Sequence, residues 1–89
     1  MTGWRVIMDR ADLAKRKMIL NQTEGEKIFE ELLEQYEADG MIFFKRAEAY
    51  EALGEFDKAL IDFRKSKALF PMEAWKQRAQ DAIDRIEKK

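Results

Sequence analysis

The chain has no cysteine and no histidine, and its 89 residues include one proline (Pro71), four glycines and a single serine (Ser66). Without cysteine there is no disulfide framework, thiolate metal site or thiol nucleophile, and without histidine there is no imidazole ligand and no imidazole base for a catalytic triad. An excess of one charge is also lacking. The 17 Lys and Arg against 18 Asp and Glu leave a formal net of -1, so no overall field recruits phosphate backbones or anionic lipid. The longest apolar run, Met41-Ile42-Phe43-Phe44, has four residues, far short of the roughly 20 of a membrane span or the roughly 7 to 15 of a signal-peptide core. These absences predict a cytoplasmic, non-enzymatic domain with no membrane, cofactor or metal partner. A cysteine-free chain fits a reducing compartment but does not require one.

A chain of this length forms one small domain that buries only roughly 60 to 65% of its unfolded surface. With 46% hydrophobic and 39% charged residues, it has the balance of a packed helical domain. Apolar residues recur at three and four. Trp4, Ile7, Ala11, Ala14 and Met18 mark helix 1 to about Leu20, with Val6, Met8, Leu13 and Ile19 widening its stripe. Thr23 and Glu26 have the spacing of a capping box, which starts helix 2 near Thr23, with a stripe of Ile28, Phe29, Leu32, Leu33 and Tyr36. Asp39-Gly40 is read as its end, and Gly54 as the end of helix 3, which carries Phe43, Ala47, Tyr50 and Leu53. Helix 4 carries Phe56, Ala59, Leu60, Phe63 and Leu69 before Pro71, and helix 5 carries Met72, Trp75, Ala79, Ile83 and Ile86.

Repetition is visible at an offset of 34 residues, which superposes Gly25 on Ala59, Phe29 on Phe63 and Tyr36 on Phe70. Between residues 40 and 71, Phe43, Ala47 and Tyr50, the turn Leu53-Gly54-Glu55-Phe56, and then Ala59, Phe63 and Pro71 follow a fixed spacing. In this the segment resembles the tetratricopeptide repeat, a 34-residue antiparallel helix pair. Ala47 and Ala59 are expected where the two helices cross, because a small side chain there permits close approach. Arg46 stands where the family has Leu, which predicts that this part of helix 3 is more exposed than usual. The same offset puts Asp9, Leu13 and Arg16 of helix 1, and Gln77, Asp81 and Asp84 of helix 5, at the three signature positions. The resemblance therefore implies an all-α, antiparallel α-solenoid of about five helices: a degenerate or register-shifted first repeat at 1–39, a well-matched repeat at 40–73, and a capping helix at 72–89 whose outer face meets water.

In that family the first helix of each hairpin lines a groove for a partner peptide or helix. The groove residues implied here are Met41, Phe44, Glu48 and Glu51 from helix 3, Ile7, Arg10, Ala14 and Lys17 from helix 1, and Trp75, Arg78, Ala82 and Arg85 from helix 5. They would form an apolar end at Ile7, Met41, Phe44 and Trp75 and a charged end at Lys17, Glu48, Glu51, Arg78 and Arg85. The plainer reading makes Phe44 and Trp75 inter-helix packing and pairs Glu48 and Glu51 with Arg78 and Arg85 as surface ion pairs. Chaperone-binding members clamp a terminal carboxylate with Lys, Asn and Arg. Phe44 and Glu48 replace such residues here, so acidic C-terminal tails are not the expected partner.

A second expectation is a homo-oligomerising assembly element, with an apolar surface of helix 1 covered by another copy. A third, a small RNA-binding adaptor, rests on the basic cluster Arg10, Lys15, Arg16 and Lys17, which has no interleaved aromatic for base stacking. Over residues 23–40, Glu24, Glu26, Glu30, Glu31, Glu34, Glu37 and Asp39 face only Lys27, whereas residues 1–22 set Arg5, Arg10, Lys15, Arg16 and Lys17 against Asp9 and Asp12. The acidic run reads as a solvated face opposite a basic helix. Glu30 with Glu34 lacks a loop to complete a metal site, and Glu48 with Glu51 lacks an orienting partner for acid-base work.

Overall fold

A computed structural model describes residues 3–36 and 39–88, without the side chain of Trp4. The Trp4 side chain and Glu37, both named above, therefore lie outside the described residues. Within them the chain is all-helical: α1 Gly3–Leu20, α2 Gln22–Gln35, α3 Gly40–Ala52, α4 Phe56–Leu69 and α5 Glu73–Glu87. It spans 35 × 31 × 16 Å, a slab whose thin dimension fits two stacked helices at an interaxial distance of about 8 to 10 Å. None of these helices is long and apolar enough to cross a membrane.

The central element is α3, which packs on α4, on α1 and more lightly on α2, while α5 packs on α4. The expected one-sided stripe on helix 3 is thus too narrow. Phe43 and Leu53 are only partly buried, whereas Met41, Ile42, Phe44, Ala47, Ala49 and Tyr50 all belong to the core. A helix apolar around most of its circumference has to be covered on several sides, and the Met41–Phe44 run supplies that covering. On α1 the buried set is Ile7, Ala11, Ala14 and Met18, as the periodicity predicts. Val6, Leu13 and Ile19 do not widen the stripe but face outward.

Two helix starts differ from the sequence reading. Asn21 caps α2, its carboxamide accepting from the N–H of Glu24 (3.4 Å), so Thr23 lies inside the helix and is exposed. With Asn21 at the cap the Thr23–Glu26 capping box does not form, and Glu26 instead accepts from the Tyr50 hydroxyl of α3 at 2.8 Å. Asp39-Gly40 opens α3 rather than closing α2: the Asp39 carboxylate accepts from the Met41 N–H at 2.9 Å, and Gly40 is buried against Phe70 and Ser66. Gly54 does behave as expected. Its φ is 80°, and the bonds Glu55 N–H to Tyr50 O (2.9 Å) and Gly54 N–H to Glu51 O (3.0 Å) form a Schellman closure.

The register of α1 follows from its turn. Asn21 alone joins α1 to α2, whereas Leu53, Gly54 and Glu55 join α3 to α4. The first connection is therefore two residues shorter, so with α2 matched to α4 at 34, α1 is matched to α3 at 32 rather than 34. At 32, Phe43 and Tyr50 correspond to Ala11 and Met18, both buried, and Ala47 to the partly buried Lys15, in place of Asp9, Leu13 and Arg16. The tight turn also draws the first hairpin together. A Cβ on Gly25 would fall well under 3.0 Å from the Cα, N and Cβ of Met18, while the corresponding Ala59 fits fully buried.

Arg46 corrects a further expectation. It is not an exposed departure but the partner of Asp62, a carboxylate only 2% exposed on α4. Nε donates to Oδ2 at 2.6 Å and Nη2 to Oδ1 at 2.9 Å, and the guanidinium lies over the rings of Phe43 and Tyr50. Burial alone would lower the Arg46 pKa, but the hydrogen bonds and negative charge of Asp62 outweigh it and hold the pKa above its ordinary value.

Candidate functional site

An apolar cleft of about 390 Å³ opens where the start of α3, the end of α4 and the start of α5 meet. Pro71 cannot continue α4, so Phe70 and Met72 on either side of it take extended backbone. Of the two side chains, Phe70 is buried and Met72 is 59% exposed. Phe70 can seat itself because Gly40 has no side chain, since a Cβ there would lie 2.9 Å from the Phe70 ring. Met41, Leu69, Pro71 and Trp75 complete the apolar walls, with Asp39 at the rim.

An aromatic cluster fixes the floor. Phe44 meets Phe63 edge-on at 5.3 Å between centroids and Phe70 at 5.9 Å, and Trp75 lies 5.5 Å from Phe70 and 6.2 Å from Phe44. The Arg78 guanidinium sits 4.9 Å over the Trp75 ring, a cation–π contact that orients the indole while leaving it partly exposed.

The structure divides the sequence-derived groove residues. Met41 and Trp75 do meet, in the cleft. Ile7 and Phe44 are core, each 7% exposed, and Ala14 and Ala82 are buried as well. Arg10 points away from α3, donating to Gln35 of α2 at 3.4 Å, and Lys17 is exposed. The α1 face turned toward α3 instead carries Asp12, paired with Lys45 (2.8 Å), and Lys15, paired with Glu48 (3.3 Å). Of the expected ion pairs, Glu51–Arg85 forms, bidentate at 2.6 and 2.8 Å, and its hydrogen bond raises the Arg85 pKa. Glu48 pairs with Lys15 and Lys45, not Arg78. The basic cluster of α1 is split accordingly, with Lys15 on the α3 side and Arg10 on the α2 side.

The sequence reading missed Leu69, Phe70 and Met72 as cleft residues. The available signal was an apolar run interrupted by Pro71, which it took as a helix stop and a signature position. Compared with protein-family models, curated proteins and solved structures, the chain matches none.

Proposed function

We propose that the chain is a non-enzymatic protein-interaction module on a tetratricopeptide-like scaffold, and that the α3–α4–α5 cleft receives an apolar side chain from a partner segment. The supporting observation is Met72, a large apolar residue 59% exposed beside the partly exposed Trp75 at the mouth of an apolar cleft. An anchor residue seated in such a pocket, ringed by polar groups, is the usual centre of a peptide-binding surface. Asp39 in the cleft lining and Arg78 over the Trp75 ring supply opposite charges that would fix the direction of the bound segment.

The test is selection of peptides from a random library on the wild-type chain, followed by measurement of the winners on Met72→Glu and Trp75→Ala. The expected result is a shared apolar anchor and at least about tenfold weaker binding to Met72→Glu, with unchanged helical circular dichroism. Peptides that bind both variants as tightly as the wild type would refute the proposal.

A further inference from the structure

At the opposite end of the slab, the outward face of the α1–α2 hairpin carries a second apolar surface. Val6, Leu13 and Leu20 recur at seven residues along α1 and are 40, 49 and 86% exposed. Seven residues is nearly two turns, so the three form one stripe about 21 Å long. Beside it a cleft of about 290 Å³ opens between the helices, with Leu13 on one wall and Ile28 and Leu32 on the other.

Charge on this face is sorted by helix. Arg10 and Lys17, also seven apart, stand on α1 on the side of the cleft, with Asp9 and Arg16 on the far side of the Leu13 stripe, and Glu24 and Glu31, again seven apart, stand on α2 with Lys27 outside them; all seven are exposed. In an antiparallel hairpin turning at Asn21, residues equidistant from the turn lie side by side. Arg10 therefore sits within about one residue's rise of Glu31, with which it borders the cleft, and Lys17 within the same distance of Glu24.

We infer that this face pairs with the same face of a second copy, about a two-fold axis running along the helices between α1 and α2. That axis preserves height and places α1 of one copy over α2 of the other. Arg10 and Lys17 then oppose Glu31 and Glu24 twice over, while the Leu13 stripes enclose the two clefts. The alternative two-fold, perpendicular to the helices, would set Arg10 against Lys17 and is opposed by like charge. A face about 27 Å long and two helices wide buries about 1,000 Å² in total, the low end for specific interfaces, so the dimer forms reversibly.

Sedimentation equilibrium from about 1 μM to about 1 mM brackets the affinity of such an interface. The wild type is expected to show a monomer–dimer equilibrium that weakens with salt, and Leu13→Asp to weaken it at least about tenfold. Arg10→Glu/Lys17→Glu makes both facing rows acidic and Glu24→Lys/Glu31→Lys makes both facing rows basic, so each variant alone is monomeric where the wild type dimerises. Mixed together they associate, which also shows that both are folded. A wild type monomeric to about 1 mM overturns the inference and leaves the face to a different protein. Charge variants that each self-associate like the wild type, or that fail to associate when mixed despite native helical signals, overturn it too. Met72→Glu is expected to leave dimerisation unchanged, so failure of the cleft proposal and failure of this one are separable.

Discussion

Replacing Gly25 by Ala sets two effects of opposite sign against each other. In an unconstrained helix interior the change stabilises by roughly 1 kcal/mol, because Gly loses more backbone entropy on folding. Here the added Cβ would lie well under 3.0 Å from Met18 Cα, N and Cβ. Two of these are backbone atoms that no rotamer change can move. Relief therefore requires α1 and α2 to part by on the order of 1 Å, and a gap of that size forfeits a quarter to a half of each dispersion contact across it. Ala11, Ala14, Met18, Phe29 and Leu32 all pack in that hairpin, so the cost falls at or above the upper end of the usual 1 to 3 kcal/mol for overpacking. The net expectation is a loss of about 2 to 3 kcal/mol, which in a domain of this size lowers Tm by about 10 to 20 °C. Thermal and urea unfolding followed by circular dichroism measure it directly. Met18→Ala added to Gly25→Ala is not expected to recover the loss, because the obstructing backbone remains. A Gly25→Ala chain as stable as the wild type, or more so, would refute the close approach of the two helices.

Arg46→Leu, which restores the residue the repeat signature prefers, is expected to cost about 3 kcal/mol in urea unfolding because it strands the buried Asp62 carboxylate; Arg46→Leu/Asp62→Leu should recover most of that. Phe63→Ala and Phe44→Ala are both expected to lose about 3 to 5 kcal/mol, since both rings are core; a near-neutral Phe44→Ala would return Phe44 to the groove. Burial, then the hydrogen bond to Glu26, raises the Tyr50 pKa above its ordinary value near 10. Its contribution is therefore fully present below pH 10 and lost as pH rises through the raised value. Urea midpoints measured from about pH 9 to about pH 11 should fall more steeply for the wild type than for Tyr50→Phe.

Local features were legible where a residue acts on its own neighbours. Gly54 announces a left-handed closure, and Ala47, Ala59 and Phe63 sit buried where the spacing puts them. Features that depend on a second helix were not. Arg46 reads as a surface interruption until Asp62, sixteen residues away, is brought opposite it. Glu26 reads as half of a capping box until Tyr50 claims its carboxylate. The shift of α1 by two residues was hidden in Asn21, because a one-residue turn and a three-residue turn give the same stripes and differ only in phase. Part of the cleft was inferable, since Met41 and Trp75 come from the repeat register. Met72 lies before α5 on the extended segment around Pro71, whose course periodicity does not encode.

The central position of α3 has a consequence for how the molecule opens. Its amides are shielded by neighbours on several sides, whereas α2 and α5 each rest mainly on a single helix. Hydrogen exchange should therefore be graded, with α2 and α5 detaching in small local openings and α3 exchanging only when the whole fold is lost. The cleft and the α1–α2 face both depend on those outer helices. Each can loosen and re-form on its own while α3 keeps the rest assembled.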